Sequence, residues 1–179
     1  MSEETHSPYG GVNYGSYLMG PELLNLQHLQ SESKAHDEML FIVIHQAYEL
    51  WFKLILFECD SIAEAMQNDD TFEAARLLRR VHVIESLLVD QIHVLETMTP
   101  RDFLSFRSAL NPASGFQSVQ FRELEFASGM KSAKILETIE TTDAEKERLA
   151  KRLEDPSLRD LFYQLLQRKG YDVAVPPMN

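Results

Sequence analysis

The chain has a single cysteine, Cys59, set inside an apolar helical run, which excludes a disulfide within the chain and a thiolate metal cluster. A reducing, cytoplasmic setting is the expectation. Positive charge is scarce too: 17 lysines and arginines face 28 aspartates and glutamates, for a formal charge of −11. Such a surface repels a phosphate backbone unless its cations cluster, so nucleic acid and anionic membranes are disfavoured as partners. Small ligands and proteins are left. The opening residues MSEETHSPYGG lack the basic region and apolar core of a leader, and His45, Gln46, Glu49 and Lys53 break the longest apolar segment. Nothing secreted or membrane-spanning is expected. H-E-x-x-H, Walker and nucleophile-elbow patterns are missing as well.

What is present is the composition of a soluble globular domain: 179 residues, 44% hydrophobic and 25% charged. Residues 1–19 are rich in Gly, Ser and Tyr and carry no periodic pattern. Tyr9, Tyr14, Tyr17 and Leu18 are poorly suited to water and are expected to lie against another surface, such as a neighbouring subunit. Pro21 opens a short helix through PELLNLQHL, and LQSESKAH is a polar break.

From about His36 to Asn68 apolar residues recur every three or four positions, the mark of a long buried helix. QNDDT closes it and caps a second helix from about Thr71 to Met98; so short a loop makes the two antiparallel neighbours. Thr99 and Pro100 start PRDFLSFRSAL, which Asn111 and Pro112 stop. ASGFQS turns into SVQFRELEFAS, with Gly129 just past its end. Weaker helices follow over about Lys131 to Thr141 and Asp143 to Leu153. Asp155 and Pro156 cap a last one, SLRDLFYQLLQRKG, ended by Gly170. The fold class is all-α: a helical bundle with an extended N-terminal arm.

Phe41, His45 and Glu49 are four residues apart and share a helical face. A lone histidine in an apolar helix is most often a core residue donating to a backbone carbonyl. The functional reading is an acceptor or base in a dry pocket, with Phe41 as wall. Phe103 and Arg107 repeat the spacing. Arg107 alone is most simply a surface charge; turned inward, its planar fork suits bidentate capture of a carboxylate. The turn Ala113-Ser114-Gly115-Phe116 adds free backbone N–H groups nearby. An aromatic amino acid is a reasonable ligand for this set. A di-metal bundle is the rival, because His36, His45, His82 and His93 lie on the long helices and Asp90-Gln-Ile-His93 has acid-x-x-His spacing. Only one such element occurs where two are wanted, and Glu38 and Glu49 complete it only if the helix faces agree.

YGSYL, HDEMLFIVIHQAYELWFK, LETMTPRDF and FRSALNPASGFQSVQFRELE, in this order and spacing from Tyr14 to about Gly129, resemble the tryptophan 2,3-dioxygenase family. The resemblance implies a helical, homotetrameric protein with haem b that uses O2 to open the indole ring of L-tryptophan to N-formylkynurenine, the first step of the kynurenine pathway. It makes His45 the catalytic residue, on the distal side of the haem and accepting the indole N–H. Phe41 packs on the indole, Arg107 binds the substrate carboxylate, and Phe103 and Leu110 line the pocket. Ser114 and Gly115 lie beside the haem. Tyr14 and Tyr17 reach a neighbouring subunit's site, so residues 1–19 are expected as an exchanged arm and residues 20–179 as the haem and substrate domain.

Ile92 stands where the family has an aromatic residue, so one contact to the pocket or haem is expected to differ. In the family, the proximal histidine and a Gly- and Thr-rich loop over the substrate ammonium lie beyond the length of this chain. His6, His28, His36, His82 and His93 match no proximal motif, and no metal ligand is assigned. The expectation is the N-terminal part of a dioxygenase or a short relative of one. The alternatives are a haem-free tryptophan or indole binder and a haem enzyme for another aromatic substrate.

Overall fold

The computed structural model describes residues 11–32 and 35–174. His6, Tyr9 and the first part of the arm, Ser33 and Lys34 of the polar break, and residues 175–179 lie outside the described residues. Every regular element among them is helical: α1 (Tyr14–Leu18), α2 (Gly20–Leu23), α3 (His36–Gln67), α4 (Thr71–Leu95), α5 (Pro100–Arg107), α6 (Val119–Ser128), α7 (Ala133–Thr138), α8 (Asp143–Glu154) and α9 (Leu158–Arg168). Two 3₁₀ turns, Ser108–Leu110 and Gly115–Gln117, separate α5 from α6.

The 32 residues of α3 span roughly 48 Å at 1.5 Å per residue, long enough to touch α4, α5, α6 and α9. By length and composition α3 is apolar enough to cross a membrane, with a mean hydropathy of 1.5 over its best window. Its buried carboxylates, Glu38 and Glu58, and its contacts with four other helices are those of a bundle's central helix. Asp69 adopts a left-handed φ of 60° in the turn, and the Asp70 side chain accepts the Glu73 amide to cap α4. The antiparallel hairpin follows as expected. Ile55, Cys59, Ile62 and Met66 of α3 pack on Ala74, Leu77, Val81, Ile84 and Leu88 of α4, with Leu161 and Leu165 of α9 closing this core. Burial pushes the Cys59 thiol up to about 11.

A smaller core, Val119, Phe126, Ile139 and Leu149, joins α6 to α7 and α8. Gly129, with φ 109°, ends α6 as expected, and a Cβ there would lie 3.2 Å from Ser157 Oγ. Ser157, not Asp155 with Pro156, caps α9: its hydroxyl accepts the Asp160 amide, and the Asp160 carboxylate takes the Ser157 amide.

Two local departures shape the N-terminal side. The arm contains a helical turn, α1, held by a reciprocal Asn13–Ser16 capping box. The helix through PELLNLQHL stops at Leu23, because Asn25 and Gln27 donate their side-chain amides back to the carbonyls of Pro21 and Leu23. The following segment is tied to α3: Gln27 donates to Gln46 at 2.6 Å, and Gln46 donates to the Leu26 carbonyl at 3.1 Å. Glu38 accepts from the amides of Gln30 and Ser31 and from the Ser31 hydroxyl.

Candidate functional site

A cleft of about 610 Å³ opens between α3, α5 and the turn leading to α6. Seven of the nine residues singled out in the sequence line it: Phe41, His45, Phe103, Arg107, Leu110, Ser114 and Gly115. The four-residue spacing on α3 and again on α5 turns each pair to one side, and α5 packs on α3 so that the two pairs face each other.

Phe41 is held in an aromatic cluster, 5.9 Å from Phe103 and 5.6 Å from Phe106 between ring centroids. Phe106, fully buried, meets Phe103 nearly edge-on at 86°. Sequence reasoning passed over Phe106; its signal was the second aromatic of DFLSFR, one turn from Phe103. The ring of His45 lies over Phe41 at 4.1 Å, and its Nδ1 is 2.7 Å from the Phe41 carbonyl oxygen. A carbonyl only accepts, so Nδ1 carries the proton and Nε2 of the neutral ring remains an acceptor. The bland and functional readings of His45 are thus compatible: one nitrogen serves the helix, and the other is free for a ligand.

Arg107 is half-buried and donates from Nη1 to Asn111 at 3.2 Å. It has no carboxylate partner among the described residues, whereas Arg76, Arg80, Arg122, Arg148, Arg152 and Arg168 all do. Ser114 caps the second 3₁₀ turn: its hydroxyl accepts the Phe116 amide at 3.3 Å, and Gln117 Oε1 takes the Ser114 amide. Neither a left-handed φ nor packing requires glycine at 115, since a Cβ there would meet nothing within 4 Å. The space in front of it is open cleft.

Glu49 continues the line of Phe41 and His45, and Gln120 of α6 donates to both its carboxylate, at 2.7 Å, and its carbonyl, at 2.9 Å. The partners are 71 residues apart, and nothing local in the sequence announces the pair. A second cleft of about 540 Å³ shares His45, Glu49, Ser114 and Gly115 and is walled by Tyr48, Phe52 and Phe121. Beyond those three aromatics a larger apolar trough of about 930 Å³ runs between α4, α6 and α9, with Ile92 on its rim. Its walls include His82, Glu85, Glu125 and Arg159, but none of the nine residues singled out in the sequence lines it.

Tyr14 and Tyr17 are not brought to this cleft; they stand 84% and 76% exposed on α1. Of the histidines weighed for metal, His93 pairs with Glu96 on the surface at 2.8 Å and His36 with Asp37. The Glu96 hydrogen bond raises the pKa of His93. Among the described residues no group of three His, Cys, Asp or Glu side chains is placed to hold an ion.

Fold and cleft together define an all-α protein whose pocket offers an aromatic wall, an imidazole acceptor and an unpaired guanidinium. A sequence profile described as tryptophan 2,3-dioxygenase matches residues 2–172, and the chain belongs to that family. It is 55% identical over 165 residues to a tryptophan 2,3-dioxygenase of Nocardioides sp., covering 89% of this chain and 62% of the relative. A tryptophan 2,3-dioxygenase of Herpetosiphon aurantiacus is 48% identical, covering 92% and 62%, and one of Aedes aegypti 46% identical, covering 88% and 44%. The chain thus spans less than two thirds of the length of these relatives.

Proposed function

We propose that this chain forms the substrate pocket and the distal wall of a dioxygenase that opens the indole ring of L-tryptophan with O2 to N-formylkynurenine. The observation that carries the reading is the half-buried Arg107, without an acidic partner, in one cleft with the Nε2 of His45. The guanidinium takes the carboxylate of the amino acid, and His45 Nε2 accepts the indole N–H. Phe41, Phe103 and Leu110 supply the apolar walls that exclude water and fix the ring's plane.

Haem b is the cofactor of this reading, and the residues present fit one side of it. Gly115 leaves room for close approach, Ser114 has a hydroxyl proton to donate, and the mutually tilted rings of Tyr48, Phe52 and Phe121 make an aromatic wall. When bound, haem supplies the oxygen chemistry, and the protein supplies orientation. None of the described histidines is offered as its axial ligand. The same reading takes residues 1–19 as an arm exchanged within a cytoplasmic homotetramer, with Tyr14 and Tyr17 completing a neighbour's pocket, and residues 20–179 as the haem and substrate domain. The exposure of both tyrosines supports this.

Calorimetric titration of the purified chain tests the pocket: tryptophan should bind well above a carboxylate that lacks the indole, and equal affinities count against the reading. Haem titration with a pyridine haemochrome spectrum tests the cofactor. A Soret band is the expected result. Tryptophan binding without one favours the haem-free binder.

A further inference from the structure

Arg107 is fastened without being neutralised. Arg76, Arg122 and Arg152, half-buried as it is, each hold a carboxylate, that of Glu73, Glu125 and Asp60 in turn. At Arg107 the acceptor is instead the uncharged side-chain oxygen of Asn111, 3.2 Å from Nη1. The local chain puts it there. α5 ends at Arg107, a 3₁₀ turn runs to Leu110, and Asn111, extended as a residue before proline is, stands at the end of that turn with its amide on the Ser108 carbonyl.

A guanidinium carries five N–H donors in one plane. Asn111 uses one on Nη1, and the edge formed by Nε and Nη2 makes no hydrogen bond among the described residues. That edge is the one that matches a carboxylate bidentately. Tethering Nη1 fixes the plane of the fork, so less side-chain freedom is lost when a carboxylate arrives. An aspartate at 111 would fix the plane as well, but it would also cancel the charge and repel the incoming carboxylate. The amide does the first without the second. Glu49, the acid lining the same cleft, forms no ion pair with Arg107 either; its Oε2 accepts from Gln120 at 2.7 Å. The positive charge in the cleft is left for a ligand.

We propose that Asn111 is a positioning residue for carboxylate recognition, a neutral tether that fixes the fork of Arg107, leaves its charge to the ligand and so sets the preference for an amino acid over the corresponding amine. The inference rests on the reading of Arg107 as the carboxylate clamp. Titration calorimetry with L-tryptophan and with tryptamine, the same molecule without its carboxylate, tests it on the unaltered chain, Asn111→Asp and Asn111→Ala. Residue 111 is exposed, and circular dichroism should be unchanged in both variants. Asn111→Asp should weaken tryptophan roughly tenfold by setting like charges together, without weakening tryptamine. Asn111→Ala should weaken tryptophan less and leave tryptamine unmoved. The order is diagnostic: aspartate keeps the shape and the contact that alanine deletes, so a merely structural role makes alanine the worse of the two. Asn111→Asp no worse than Asn111→Ala, or tryptophan and tryptamine weakened alike, overturns the role of Asn111 while the clamp stands. An unaltered chain that binds the two ligands equally overturns the clamp, and this inference with it.

Discussion

The imidazole of His45 lies 4.1 Å from the ring of Phe41 while its Nδ1 donates to the carbonyl oxygen of Phe41, so one residue fixes both the plane of the ring and its tautomer. Orientation of this kind is what a substrate-positioning histidine requires, and it leaves Nε2 with a single task.

The first prediction follows from that task. His45→Ser should weaken tryptophan binding by ~1 kcal/mol, the net worth of one hydrogen bond. It should also erase the preference of the unaltered chain for tryptophan over 1-methyltryptophan, which has no indole N–H. Titration calorimetry with the two ligands measures both effects, and a preference that survives the substitution removes His45 from the ligand's side. In haem-loaded protein the loss of turnover should stay below the ~10²–10⁴-fold expected of a general base.

Arg107→Leu should cost roughly 2 to 5 kcal/mol in tryptophan affinity, the range for removing one partner of a buried charge pair. Helix content should not move, because among the described residues the guanidinium bonds only Asn111. Calorimetry with a far-ultraviolet spectrum checks both halves. An affinity unchanged by the substitution places the carboxylate elsewhere.

Much of this arrangement was legible in the sequence. α3 and α4 carry a 3.6-residue apolar period over many turns, and Asn68 ends one and Asp70 starts the other within a residue or two of expectation. The site residues on α3 and α5 could be placed because spacing by four survives whatever packs against the helix. Five-residue α1 was not legible, since a single turn has no period and rests on Asn13 and Ser16 alone. Nor was the Glu49–Gln120 pair, which exists only because α6 packs on α3. The same holds for Phe103 and Phe106: both are apolar, and only the docking of α5 decides which one is fully buried.

Glu38 and Glu145 predict a pH dependence. Burial pushes the Glu38 carboxyl up, but the Ser31 hydroxyl and the amides of Gln30 and Ser31 outweigh it and hold it below the usual carboxylate range. Glu145 is drawn down to about 2 by the hydroxyls of Thr141 and Thr142 and by the Thr142 amide. A carboxyl depressed in the folded state adds stability above its unfolded pKa, and this is lost as pH falls through the folded value. For Glu145 the window runs from its unperturbed 4.5 down to about 2. Urea midpoints measured across that range should fall more steeply for the unaltered chain than for Glu38→Gln or Glu145→Gln. At neutral pH, Glu38→Gln should be destabilised by roughly 1 to 3 kcal/mol, the cost of leaving a buried hydrogen-bonding group mismatched.

The last prediction concerns Tyr14 and Tyr17. Their rings are 84% and 76% exposed, on a helical turn with no buried residue, so neither contributes much to the fold of its own chain. Two aromatic rings presented to solvent beside exposed Leu18 and Met19 are costly unless something covers them. If each completes the pocket of a neighbouring copy, Tyr14→Ala with Tyr17→Ala should leave the melting temperature nearly unchanged yet weaken tryptophan binding several-fold. In the unaltered chain, dilution into the monomeric range should produce the same weakening, because the missing wall belongs to another molecule. In the double variant, dilution should have no further effect. Tryptophan affinity that ignores both the substitutions and the protein concentration would show that the pocket is complete within one chain.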